Sequence, residues 1–111
     1  MIKRLAKSLL FKAALTLCVV TSFAAGGGGY KIGQKNKTFS QSSITIKKGE
    51  SITFVNDDSI AHNVYSTSSG NAFNLKTMSP GGEGVATFNT PGTVEVRCAI
   101  HPTMRMTVTV K

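Results

Sequence analysis

The stretch "TVEVRCAIHPTMRMTVTVK", residues 93–111, alternates apolar and polar side chains on both sides of a short loop. Successive side chains of a β-strand point to opposite faces, so a period of two predicts a strand with one buried face. The stretch therefore predicts two strands joined by the loop "AIHPTM". The residues predicted to face inward are Val94, Val96 and Cys98 before the loop, and Met106, Val108 and Val110 after it.

The same alternation recurs upstream. It is present in "SITIKK" (43–48), "SITFVND" (51–57), "HNVYS" (62–66) and "GVATFNT" (84–90). Short segments rich in Val, Ile and Thr, separated by turn signals, predict an all-β sandwich or barrel, with antiparallel strands. The segment "SSGNAFNLKTMSPGGE" (68–83) lacks the alternation, and we expect a long loop there, with one helical turn at residues 73–76. No second domain or internal repeat is indicated.

The N-terminus has the pattern of an export signal. A basic "MIKRLAKS" precedes the apolar "LLFKAALTLCVV", and Ser22 and Ala24 supply the small residues of a cleavage site. Residues 1–24 are therefore predicted to be a secretory signal peptide, which implies a periplasmic protein. A lipoprotein anchor at Cys18 is the alternative, but Leu17 stands where a small residue would be needed.

The apolar run is shorter than the ~20 residues of a spanning helix, so we expect no stable membrane anchor. Residues 25–37 begin "AGGGGYKIGQ" and are predicted to be a flexible, glycine-rich lead-in. Residues 38–111 are predicted to form one domain. Cleavage after Ala24 would leave 87 residues, with nine basic and five acidic side chains and a net charge of +4. This mild excess, without interleaved aromatic residues, does not indicate nucleic-acid binding.

Cleavage would also leave Cys98 as the sole cysteine, which cannot form an internal disulfide. On its own, Cys98 could be a small buried apolar side chain. However, His101 follows it by three residues, and Met104 and Met106 follow His101 by three and five. The only other histidine, His62, opens a predicted strand, and in a sandwich it could lie at the same pole. Two imidazoles, a thiolate and a weak thioether are the ligands of a blue-copper centre, whereas structural zinc normally requires four strong ligands.

Three segments resemble one family. They are "ITIKKGESITFVNDD" (44–58), "HNV" (62–64) and "PGTVEVRCAIHPTM" (91–104). Together they resemble the cupredoxins of the plastocyanin and amicyanin type, over roughly residues 38–111. The resemblance implies a cupredoxin-like Greek-key β-sandwich of about seven to eight strands. It also implies one copper ion per chain.

By this resemblance, His62, Cys98 and His101 would be the equatorial copper ligands. Asn63 would brace the cysteine loop through its side chain, in keeping with the importance of hydrogen bonds around metal ligands. The alternative for Asn63 is an ordinary turn or strand-edge asparagine.

The axial ligand must be chosen between two methionines. Plastocyanin-like loops place it five residues after the loop histidine, which fits Met106, and amicyanin-like loops place it three after, which fits Met104. In both subfamilies, valines follow the axial methionine at +4 and +6. Val108 and Val110 occupy those positions relative to Met104, while Met106 shares their inward parity. We therefore predict Met104 as the axial ligand and Met106 as a core residue.

The resemblance further implies a small soluble electron carrier, not an enzyme. No pair of carboxylates and no Ser/His/Asp arrangement is evident. The expected protein is a monomer that exchanges electrons with a redox donor and acceptor, by analogy an amine dehydrogenase and a c-type cytochrome. A copper chaperone or storage module, and a metal-free cupredoxin-like interaction module, are the alternatives.

Surface lysines could steer an acidic redox partner, because surface charge mainly sets the encounter rate. They could equally serve solubility. These lysines are Lys31, Lys35, Lys37, Lys47, Lys48 and Lys76.

Overall fold

The computed structural model describes residues 29–111, and within that range it contains nine strands and no helix. The strands are β1 (Gly29–Lys35), β2 (Thr38–Phe39), β3 (Ser43–Ile46), β4 (Ser51–Asn56), β5 (His62–Ser66), β6 (Phe73–Met78), β7 (Glu83–Thr87), β8 (Gly92–Arg97) and β9 (Arg105–Val110). The predicted all-β sandwich is confirmed, with nine strands in the described range where about seven to eight were expected.

The strands form two sheets. The five-stranded sheet has the order β3-β9-β8-β5-β6, and the four-stranded sheet has the order β2-β1-β4-β7. Both sheets are mixed, because β1 pairs with β4, and β3 with β9, in parallel. This corrects the expectation of a purely antiparallel sandwich. Parallel neighbours need a crossover connection, and here the intervening strands provide it.

The core lies between the two sheets and follows the predicted alternation. Phe54 is fully buried near its centre, with its ring 6.1 Å from that of Phe39 and 6.3 Å from that of Phe73. Phe73 in turn meets Phe88 edge to face at 5.7 Å. The inward residues predicted for the C-terminal stretch are all buried, namely Val94, Val96, Cys98, Met106, Val108 and Val110.

The flexible lead-in predicted for residues 25–37 is wrong over its described part. Strand β1 pairs along its length with β4, and Ile32 is completely buried. The prediction rested on the glycine run, which ends at Gly29, and the inward face that follows it, Tyr30, Ile32 and Gln34, is only partly apolar. Residues 1–28, including the predicted signal peptide and Cys18, lie outside the described residues. Within residues 29–111, no helix is long and apolar enough to cross a membrane.

The predicted long loop at residues 68–83 contains strand β6, and the predicted helical turn at residues 73–76 is wrong. Strand β6 pairs with β5, but the register shifts between the pairs Asn63↔Thr77 and Tyr65↔Asn74. One extra residue of β6 is accommodated there, and Lys76 has a positive φ of 66°. A bulge of this kind breaks the period of two, which hid the strand from sequence analysis.

Candidate metal centre

Three predicted ligands meet at one end of the sandwich. His62 is the first residue of β5, Cys98 directly follows β8, and His101 lies in the loop that leads to β9. One ligand atom from each of the three lies within 4.8 Å of the others. His62 and Cys98 are buried, and His101 is partly exposed. The fold therefore brings together residues from two distant parts of the chain.

The ring of His62 is fixed by one nitrogen and leaves the other available. Its Nε2 lies 3.0 Å from Oδ2 of Asp58, and its Nδ1 is buried without a hydrogen-bond partner. Since Asp58 is an acceptor when ionised, Nε2–H donates and Nδ1 carries the lone pair. A buried, unpaired imidazole nitrogen is costly in a metal-free core, and it is the arrangement that a metal ligand requires.

Asp58 is a site residue that the sequence analysis missed. It accepts hydrogen bonds from His62, from the backbone N–H of Ser59 at 2.8 Å and from that of Asn36 at 2.9 Å. The hydrogen bond with His62 is the main reason why the pKa of Asp58 is lowered, and the two backbone donors add to the effect against the opposing effect of burial. The available signal was an acidic residue four positions before a candidate ligand.

The sulfur of Cys98 lies within a set of polar contacts. The backbone N–H of Asn63 donates to Sγ at 3.3 Å, and Nδ1 of His101 lies 3.9 Å from the same atom. The positive end of this N–H points at the sulfur, which suits a sulfur that binds metal. Cys98 therefore has the setting of a ligand as well as the burial of a core residue.

The side chain of Asn63 connects the cysteine loop to β6. Its Oδ1 accepts from the backbone N–H of Ala99 at 3.0 Å, and its Nδ2 donates to Oδ1 of Asn74 at 3.0 Å. Asn74 also accepts from the backbone N–H of Lys76 at 2.7 Å, within the bulge. The structure thus places Asn63 between the residue that follows Cys98 and the edge strand of the sheet.

The two methionines occupy different environments. Met104 lies in the loop, is 1% exposed, and donates its backbone N–H to the carbonyl of His101 at 2.9 Å. Met106 lies within β9 opposite Val96 and is 2% exposed, and both methionines belong to the main core cluster. Burial alone therefore does not separate them, but only Met104 belongs to the loop that carries Cys98 and His101.

The exposed side of the site is formed by His101. Burial is the main reason why its pKa is lowered, and the electrostatic effects of His62 and Lys37 act in the same direction, against that of Asp58. The two histidine rings have centroids 4.8 Å apart. The turn that carries Lys37 lies beside the site, because the backbone N–H of the preceding Asn36 donates to Asp58, the partner of His62.

Apolar residues adjoin both histidines in the chain. Ile60 is 41% exposed and precedes His62 by two residues, and Ile100 is 45% exposed and directly precedes His101. A third large exposed apolar residue in the described range is Val85, in the four-stranded sheet. Two of these three residues are thus close in sequence to candidate ligands.

Comparison with known proteins agrees with this geometry. Residues 29–111 match the family model of copper binding proteins of the plastocyanin/azurin family. The chain belongs to this family. It is a type 1 cupredoxin, as the resemblance in its sequence indicated.

Three relatives illustrate the range of similarity. The methylamine utilization protein MauL of Methylorubrum extorquens is 39% identical over 64 residues, which are 57% of this chain and 56% of MauL. The chain thus spans little more than half the length of that relative. Amicyanin from Paracoccus versutus is 29% identical, with a TM-score of 0.68 over 75% of this chain and 81% of amicyanin. A copper-containing nitrite reductase from Thermus scotoductus is 22% identical, with a TM-score of 0.69 over 74% of this chain and 22% of the reductase, and shares the fold alone.

Copper is the metal that the donor set fits. His62, Cys98, His101 and Met104 form a candidate type 1 copper site, in which thiolate and thioether suit Cu(I) and imidazole suits both oxidation states. The unpaired Nδ1 of His62 supports this fit independently of the family match. When bound, copper would supply a one-electron redox couple.

Proposed function

We propose that this protein carries single electrons between a donor and an acceptor redox protein. The observation that carries the proposal is the asymmetry of burial at the site. His62 and Cys98 are buried and held by hydrogen bonds, whereas His101 reaches the surface. A metal held in this way would be shielded from solvent and small molecules, and a partner could approach it closely at His101.

Each candidate ligand has a distinct role in this proposal. His62, Cys98 and His101 would hold copper as its strong ligands, and Met104 would supply a weaker thioether. The hydrogen bonds to the ring of His62 and to the sulfur of Cys98 would keep their positions unchanged between the two oxidation states. A site that changes little on reduction exchanges electrons with little reorganisation.

We infer that the protein is a carrier and not an enzyme. The four candidate ligands would be taken up by copper, and the carboxylate beside them, Asp58, is already engaged by His62 and two backbone N–H groups, which favours a carrier over acid–base chemistry on a substrate. The likeness to nitrite reductase concerns the fold, and this chain corresponds to about a fifth of that enzyme.

The partners and location follow from charge and similarity. Lys37 follows Asn36, whose backbone N–H donates to Asp58 beside His62, and the charge of Lys37 favours an acidic partner surface there. By analogy with amicyanin, and with MauL as a methylamine utilization protein, the donor would be an amine dehydrogenase and the acceptor a c-type cytochrome. The protein would be exported to the periplasm by residues 1–24 and act there as a monomer.

Voltammetry of the copper-loaded protein tests the proposal. Residues 25–111 are reconstituted with one equivalent of Cu(II), and the expected result is a reversible one-electron wave that persists over many cycles without loss of copper. Fast self-exchange, seen as line broadening in NMR spectra of mixed Cu(I) and Cu(II) samples, is expected as well.

The copper chaperone or storage module predicts a different result. Such a protein takes up Cu(I) and releases it to a competing chelator, and it gives no reversible wave. That outcome would contradict the electron-carrier proposal while leaving copper binding intact. A protein that binds no copper would favour the metal-free interaction module.

A further inference from the structure

Gln34 is an unusual core residue. It lies on the inward face of β1 and is completely buried, yet its Oε1 has no hydrogen-bond partner. A buried carbonyl oxygen without a donor destabilises the folded state, so an apolar side chain of similar size would pack here at lower cost. The reason for a polar residue at this position must therefore lie with the amide nitrogen, Nε2.

The side-chain amide of Gln34 forms a hydrogen bond between the two sheets. Its Nε2 donates at 3.2 Å to the backbone carbonyl of Asn63, which belongs to the five-stranded sheet. The orientation of the amide is fixed by chemistry, because a carbonyl can only accept and the opposite rotamer would set two oxygens against each other. The pairing leaves Oε1 as the unpaired atom.

The residue that Gln34 holds is itself central to the metal site. Asn63 donates its backbone N–H to the sulfur of Cys98 and accepts from Ala99 through its side chain. Gln34 is also anchored from its own backbone, because its carbonyl accepts from the N–H of Asp57 at 2.9 Å. The amide of Gln34 is thus a fixed link between β1 and the donor to the sulfur.

We propose that Gln34 is a positioning residue that holds Asn63 against the sulfur of Cys98 and thereby tunes the copper centre. The proposal rests on the type 1 site described under the proposed function. The positive end of the Asn63 N–H dipole stabilises the less positive, reduced state of the centre. Weakening this bond should therefore lower the reduction potential. It should also leave more electron density on sulfur and move the sulfur-to-copper charge-transfer band to longer wavelength.

Two apolar variants test the proposal. Gln34→Met keeps the length of the side chain, and Gln34→Leu provides a second packing solution. In each, the removal of the unpaired Oε1 offsets the loss of the donor to the Asn63 carbonyl, so we expect the copper-free protein to stay folded with stability close to that of the wild type. We expect the copper-loaded variants to have a lower potential and a band at longer wavelength. The amide proton of Asn63 should exchange faster with solvent in the copper-free variants.

Ile32→Val is the matched control. Ile32 lies two residues earlier on the same face of β1 and is equally buried, but the structure gives it no hydrogen bond to Asn63. This variant should lose stability without a shift in potential, absorption or Asn63 exchange. If a loss of stability alone were enough to change the spectra, Ile32→Val would change them as well.

Two outcomes would overturn the proposal. If Gln34→Met leaves the potential, the band and the Asn63 exchange unchanged, Gln34 is a core residue without influence on the site. If both Gln34 variants unfold, the amide is required for the fold itself and not for positioning the donor to the sulfur. Exchange at Asn63 is measured without copper, so it tests the link even if the proposed electron-transfer function fails.

Discussion

The two hairpins that approach the metal centre contribute in different ways. The C-terminal hairpin, β8 and β9, carries three of the four candidate ligands in residues 98–104. The N-terminal hairpin, β1 and β2, carries no ligand among its described residues, but it reaches the site at three points. These are the hydrogen bonds Gln34–Asn63 and Asn36–Asp58, and the charge of Lys37 near His101.

The comparison distinguishes the residues that bind the metal from the residues that hold those ligands in position. The identity of the ligands is concentrated in one loop, with His62 added from a second segment. Their orientation also depends on Gln34 and Asn36 of the N-terminal hairpin, which lie more than 25 residues before His62 and more than sixty before Cys98. We therefore expect mutations in the two hairpins to affect different properties.

The largest effect should be the loss of stability when β1 is weakened. Ile32→Ala removes a completely buried side chain, and we expect a loss of about 2–5 kcal/mol in the free energy of unfolding. Urea denaturation of the copper-free protein measures it. Val85→Ala is the control, because Val85 is 57% exposed and its loss should matter by less than about 0.5 kcal/mol. An equally small effect for Ile32→Ala would mean that β1 is peripheral to the fold.

Asp58→Ala should weaken copper binding by about 10–100-fold, the usual range for losing a partner of a ligating histidine. The reason is that Nε2 of His62 loses its acceptor, and the ring is then free to reorient. Competition with a Cu(II) chelator measures the affinity. Asp57→Ala removes a neighbouring, exposed carboxylate and should leave affinity nearly unchanged. Equal losses in the two variants would indicate a general charge effect and not a specific role for Asp58.

The methionine variants test the C-terminal hairpin alone. Met104→Leu should move the reduction potential strongly, because it removes the proposed axial thioether. Met106→Leu should change only stability, by less than about 1.5 kcal/mol, because it substitutes one core residue of similar volume for another. Potentials of the two copper-loaded variants provide the comparison. A strong shift in Met106→Leu alone would reverse the assignment of the axial ligand.

The smallest effect concerns the turn of the N-terminal hairpin. Asn36 and Lys37 have φ values of 55° and 58°, which are typical of a two-residue type I′ turn. Lysine is strained in this conformation, so Lys37→Gly should stabilise the protein by up to about 1 kcal/mol. Lys31→Gly, within β1, should instead destabilise it by about 0.5–1 kcal/mol. Thermal unfolding distinguishes them, and a loss of stability in Lys37→Gly would show that the turn requires its side chain.

The sequence predicted what local patterns encode. Alternation identified the strands around Val94 and Val108, and the clustering of soft ligands identified the loop of Cys98. The prediction of strands failed at β1, where the buried Gln34 breaks the alternation, and at β6, where a bulge at Lys76 breaks it. These failures share a cause, because Gln34 bonds directly to Asn63, and Lys76 does so through Asn74, in contacts that only the folded chain creates.

The residues that contact the ligands were also only partly predictable from the sequence. Asp58 was within reach of sequence analysis, since it precedes His62 by four residues. Gln34 was not, because 29 residues separate it from Asn63 and a buried glutamine has no signature in the chain. Residues that bind a metal directly belong to few types and cluster, whereas the groups that orient them can be any donor or acceptor at the right distance.

The central claim is that His62, Cys98, His101 and Met104 hold copper as a type 1 centre. The visible absorption and electron paramagnetic resonance spectra of the protein with one equivalent of Cu(II) test it most directly. We predict an intense sulfur-to-copper charge-transfer band that gives a coloured solution, with small copper hyperfine splitting, both of which disappear in Cys98→Ser. A nearly colourless Cu(II) complex with the large hyperfine splitting of a tetragonal site, unchanged by Cys98→Ser, would contradict the account.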